Sequence, residues 1–189
     1  KKDHNNGDES NGIAGWSVFH SGSVDNVADP DDNTNNVIKF TPVANTTGYY
    51  YLACPQYDLA PFLINNQYVN MYGGQGVGIY DLTFRIKAEE GNGGNFGVHL
   101  CTTDQQAKIS SGLTMNMTDE WQTITASFVV DQSFLDTLVS QNRTSIGFRF
   151  DGGTSYRDNG MFSYYVDDVT FAKRDASKYE GIKVTASKI

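Results

Sequence analysis

Carboxylates, imidazoles, thiols and aromatic rings are the side chains here that could do chemistry, and their positions limit what that chemistry is. Of 22 acids only five are glutamates: Glu9, Glu89, Glu90, Glu120 and Glu180. Hydrolysis by an acid–base pair takes two carboxylates about 5 to 9.5 Å apart, carried on strands that point into one cleft. Glu89 and Glu90 stand instead at the head of a Gly-rich turn, Glu89-Glu90-Gly91-Asn92-Gly93-Gly94, and Glu120 precedes a strand-like run. Asp81 and Asp151 lie in strand patterns but have no evident carboxylate partner. His4, His20 and His99 lack metal-ligand spacing, and no CxxC pair or Gly-x-Ser-x-Gly elbow occurs. Cys54 and Cys101, the two cysteines, are two thiols or one disulfide. Asp167-Asp168 is a different case: two adjacent acids in an otherwise apolar run repel, so a cation beside them is physically reasonable.

The elements that carry these residues read as strands. The 189 residues suit one well-cored domain. Asp, Asn, Gly, Ser and Thr dominate the polar residues, a composition for turns rather than helices. Alternation with period two runs through Gly15–His20, Asn36–Phe40, Gly48–Ala53, Gly78–Lys87, Asn95–Cys101, Trp121–Val130, Ser145–Phe150 and Ser163–Phe171. One helix-like stretch, Ser133–Val139, stands among them. About eight strands with rich turn chemistry predict an all-β fold, an antiparallel β-sandwich or jelly roll. Residues 1–173 are expected to form it, with 174–189 as an extension or linker and 61–79 as a long Gly-rich loop over one rim. The sequence begins at Lys1 without a Met or signal-peptide pattern and is expected to be a mature or excised segment.

Charge and hydropathy exclude further classes. Fourteen Lys and Arg against 22 acids give a net charge of -8 and no basic patch for a polyanion. No apolar run approaches the roughly 20 residues a membrane helix needs.

Alternation assigns faces. Tyr80, Leu82, Phe84 and Ile86 are expected in the core, as are Phe96, Val98, Leu100, Ile146, Phe148 and Phe150. Tyr49, Tyr51, His99, Cys101 and Arg149 then fall on an outer face. Rings beside hydrogen-bonding groups on a sheet face suit a sugar polymer, since rings stack on pyranose faces and polar groups read hydroxyls. The plainer alternative is that the two tyrosines only cover the core edge.

Three stretches in order resemble the carbohydrate-binding modules of the family 4, 9 and 22 group. Asn6-Gly7-Asp8-Glu9-Ser10 leading to Gly15-Trp16 is similar to their opening. Tyr80–Glu89 with Trp121–Val130 is similar to two central strands, and Tyr164–Val169 to the last strand. The opening departs from the pattern in lacking its Phe, so Asp8 and Glu9 compete for one role. The resemblance implies a jelly roll whose concave sheet forms an open cleft for internal stretches of a glycan. It places Phe19, Tyr49, Tyr51, His99 and Arg149 as cleft residues. It also implies a structural Ca²⁺ held by Glu9 (or Asp8) and Asp167 with backbone carbonyls near Asn36, the oxygen donors a hard cation takes.

The function so implied is a non-catalytic module of a secreted or cell-surface bacterial protein. Its partners are a plant cell-wall polysaccharide, β-1,4-xylan before β-glucan or cellulose, and a covalently linked glycoside hydrolase. Two alternatives stay open. One is a small jelly-roll glycoside hydrolase, against which the placement of the glutamates counts. The other is an adhesion sandwich, which would expose an apolar patch rather than a polar aromatic groove. The sequons at Asn45, Asn116 and Asn142 have meaning only in a eukaryotic secretory host.

Overall fold

The structure, a computed structural model, describes residues 16–19, 22–42, 54–58, 76–90, 95–102, 107–140, 146–152 and 162–175. Eleven strands and one helix occur among them: β1 (Trp16–Phe19), β2 (Gly22–Asp29), β3 (Asp32–Pro42), β4 (Cys54–Asp58), β5 (Gly78–Ala88), β6 (Asn95–Thr102), β7 (Lys108–Ser110), β8 (Met115–Asn116), β9 (Gln122–Val130), α1 (Gln132–Ser140), β10 (Ile146–Gly152) and β11 (Tyr164–Lys173). They form two antiparallel sheets. One has the order β1-β4-β10-β6-β7 with β8 paired to β6, and the other the order β2-β3-β11-β5-β9. Non-consecutive neighbours such as β4 beside β10 and β3 beside β11 are jelly-roll crossovers, so the expected β-sandwich is the observed fold.

The period-two pattern puts the core where it was expected. In β5, Tyr80, Leu82, Phe84 and Ile86 are buried while Asp81, Thr83, Arg85 and Lys87 are half-exposed. Phe96, Val98 and Leu100 of β6 and Phe148 and Phe150 of β10 are also buried. Rings join the two sheets. Phe150 meets Phe84 of the opposite sheet edge-on at 4.8 Å, and stacks on Trp16 at 6.1 Å with the planes 4° apart. Tyr164 lies between Phe40 at 5.0 Å and Phe96 at 5.1 Å. Such pairs add about 0.5–1.5 kcal/mol each beyond the area they bury. Burial pushes the Tyr80 phenol up to about 12, and its hydroxyl donates to the Gly76 carbonyl at 2.7 Å.

The helix and the last strand have local causes. Asp131 caps α1 by accepting from the Phe134 amide at 2.8 Å, and Phe134, Leu135 and Leu138 seat it on the core. Beyond β11, Arg174 is fastened to the sandwich at the point where an extension was expected to start. Its amide donates to Ile79 O at 2.7 Å, and its Nε and Nη2 grip Asp81 at 2.8 and 2.6 Å. Ser127 Oγ donates to Asp81 Oδ1 at 2.7 Å, completing the site. The rim loop expected over 61–79 falls, up to residue 75, outside the described residues. Among the described residues, no helix is long and apolar enough to cross a membrane.

Candidate functional site

The outer face of the sheet β1-β4-β10-β6-β7 is assembled by register. Ser17 pairs with Gln56, Gln56 with Arg149, Arg149 with His99, and His99 with Ser110. These five positions form one row perpendicular to the strands, about 19 Å across at ~4.8 Å per strand. All are polar. Gly147 precedes Arg149 by two residues and Gly97 precedes His99 by two, so both stand in the same phase as the row. Glycine at such places lets a ligand or another backbone come close. The row and its glycines make a polar strip across the sheet, with Gly97, His99 and Gly147 partly exposed at its centre.

The sequence-expected residues fall as follows. His99 and Arg149 are neighbours in this row, turned away from the core as alternation required. Arg149 is nevertheless only 4% exposed, and Cys101, in the same phase as His99, only 3%. Phe19 pairs through its backbone with Cys54, in the strand that starts the row; its side chain lies outside the described residues. Tyr49, Tyr51 and Glu9 lie wholly outside them. Ser17, Gln56 and Ser110 join the row without any motif in the sequence that marks them. The phase of Ser17 could be read from Trp16, but no local signal shows which distant strands become neighbours.

Register also fixes two separations. Cys101 sits opposite Gly147, and Gly147 opposite Asp58, four residues from Cys54 on a strand two places away. Two strand spacings alone exceed the ~7 Å limit of a disulfide. The two cysteines are therefore not bonded to each other. The acids of this sheet among the described residues are Asp58 and Asp151. Asp151 lies four residues along β10 from the partner of Asp58, so their Cα atoms are about 14 Å apart. A carboxylate pair acting on one glycosidic bond stands about 5 to 9.5 Å apart.

The other sheet carries its charges as satisfied pairs. Lys39 Nζ reaches Glu89 Oε1 at 2.6 Å, and Tyr165 donates to the same oxygen at 3.1 Å. The hydrogen bond from Lys39 holds the Glu89 carboxyl below its usual range and the Lys39 ammonium above its own. Asp167 in β11 is buried at 3% exposure, with Asn35 Nδ2 donating to its Oδ2 at 2.9 Å. A buried carboxylate oriented by an amide is the kind of donor a hard cation takes, and in that respect Asp167 fits the implied Ca²⁺. Among the described residues no group of three or more His, Cys, Asp or Glu side chains is gathered around one point.

No protein-family model matches the chain, and no curated protein matches it by sequence. Its fold does match solved structures. The CBM22-2 xylan-binding domain from Paenibacillus barcinonensis Xyn10C superposes with a TM-score of 0.56 at 18% identity, over 88% of this chain and 96% of that one. A family 4 carbohydrate-binding module superposes at 0.50 with 16% identity, over 84% and 86%. This chain has the carbohydrate-binding-module fold. The same fold is seen in the CBM22-1–GH10 modules of Clostridium thermocellum endo-1,4-β-D-xylanase 10B, solved with xylohexaose. The match there has a TM-score of 0.55 at 13% identity, covering 86% of this chain and 26% of that longer one. The sandwich foreseen from alternation, and the group foreseen from its three motifs, thus coincide with the fold these structures share.

Proposed function

We propose that the protein is a non-catalytic carbohydrate-binding module that holds an internal stretch of a plant cell-wall polysaccharide, β-1,4-xylan first and β-glucan second. The observation that carries this reading is the polar row Ser17–Gln56–Arg149–His99–Ser110 across the face of a sandwich with the carbohydrate-binding-module fold. His99 reads hydroxyls at the centre of the row, and Arg149, buried beside it at 4% exposure, is the second polar contact assigned there. Phe19, Tyr49 and Tyr51 supply the stacking surfaces. Binding breaks no bond. In the parent protein, secreted or at a bacterial cell surface, the module raises the effective concentration of a linked glycoside hydrolase on its polymer.

Titration calorimetry with xylohexaose against wild type, Tyr49→Ala and Tyr51→Ala tests the site. Each substitution is expected to weaken binding at least tenfold with the circular dichroism spectrum unchanged, and unaltered affinity in both would move the site elsewhere. A reducing-sugar assay on the same glycans tests the mechanism, since protein-dependent release of new ends would make this an enzyme.

The proposal includes a structural Ca²⁺ between Glu9 and Asp167. It predicts that chelation lowers the unfolding temperature and that Ca²⁺ restores it.

A further inference from the structure

Consecutive side chains on a strand point to opposite faces. In β11, Tyr164 and Val166 are in the core and Asp167 lies on the outer face, so unbroken alternation would drive Asp168 into the core. A bulge prevents this. Between the pairs Asp167↔Arg85 and Thr170↔Thr83, β11 has two residues, Asp168 and Val169, where β5 has one, Phe84. Asp168 takes φ of 50°, a left-handed conformation that Asp tolerates better than most side chains. Val169 then takes the place against the core, and the Asp168 side chain stands 57% exposed.

The bulge brings both acids to one cation. Arg85 Nη1 is 3.4 Å from Asp167 Oδ2 and 3.5 Å from Asp168 Oδ2. The Arg85 guanidinium lies over the Trp121 ring, 4.3 Å from its centroid. Trp121 is the residue before β9, so two strands and a bulge converge on this group. Burying the Asp167 charge is costly unless an opposite charge accompanies it.

We infer that Arg85, braced on Trp121, is the built-in counter-cation of the Asp167–Asp168 bulge, and that it competes there with a divalent cation. The first half stands on the geometry alone; the second rests on the Ca²⁺ reading above. Arg85 is thus a positioning residue: it keeps the bulge closed when no metal is bound, and a metal that binds Asp167 has to displace its charge.

A double-mutant cycle on Arg85→Met and Asp167→Asn, followed by thermal unfolding in EDTA and in Ca²⁺, tests both halves. In EDTA, R85M is expected to unfold about 5 °C below wild type. In the D167N background most of that drop is expected to vanish. Ca²⁺ is expected to raise R85M more than wild type. R85M unfolding with wild type, or falling equally far in the D167N background, overturns the counter-cation; the second result would reduce Arg85 to packing on Trp121. A Ca²⁺ shift smaller in R85M than in wild type overturns the competition. Coupling in EDTA with no Ca²⁺ response in either chain supports the counter-cation and refutes both the competition and the Ca²⁺ reading. Should R85M not fold, the cycle is run on Arg85→Gln with Asp168→Asn, whose acid is exposed.

Discussion

Arg149 shows both how far a single residue can be read from sequence and where such reading stops. Its phase in Ser-Ile-Gly-Phe-Arg-Phe put it opposite Phe148 and Phe150, and the sheet keeps it there. Its burial was not legible, because burial on an outer face depends on what lies across it, not on alternation. His99 is the more accessible half of the pair, and His99→Ala is expected to weaken xylohexaose binding about tenfold, or 1.4 kcal/mol, in calorimetry without a change in unfolding temperature. Asp81 gives a prediction in pH. Hydrogen bonds from Arg174 lower its folded-state pKa below the ordinary carboxylate value, so the folded state binds its proton less readily than the unfolded chain. The stabilisation is therefore present above about pH 4 and is lost as pH falls through and below that point. Both side chains are partly exposed, which limits it to about 1 kcal/mol. Asp81→Asn should lower the unfolding temperature by about 2–4 °C at pH 7 and flatten its fall between pH 5 and 3.

At the scale of elements, strands rich in apolar and aromatic residues were legible and the polar ones were not. Gly78–Lys87 announced β5 through four apolar and four polar positions, and all eight face as expected. Ser133–Val139 announced α1 within a residue at each end. By contrast β2, Gly22–Asp29, is rich in Ser, Asp and Asn and owes its strand to pairing with β3. Tertiary pairing there overrides weak propensity. The bulge at Asp168 was invisible for a related reason: a local pattern records that an acid is out of phase, not how the backbone corrects it. Two substitutions weigh these elements. Phe150→Ala empties the point where Trp16, Phe84, Phe96 and Phe148 meet, and should cost about 3–5 kcal/mol in denaturant unfolding. Asp131→Ala removes the cap of α1 and should cost about 1 kcal/mol by the same measurement.

For the whole molecule, the decisive fact is which strands become neighbours. Ser17, Gln56, Arg149, His99 and Ser110 are scattered through the chain, and only the crossovers of the jelly roll draw them into one row. Composition had already counted against catalysis through five glutamates, none inside a strand pattern. In the sheet, the Cα atoms of the two described acids, Asp58 and Asp151, stand about 14 Å apart. Xylan across a polar sheet face is the central claim, and affinity electrophoresis of the intact chain through gels containing xylan, β-glucan or mannan tests it most directly. The predicted result is strong retardation by xylan and weaker retardation by β-glucan. Unchanged mobility in all three gels would contradict it.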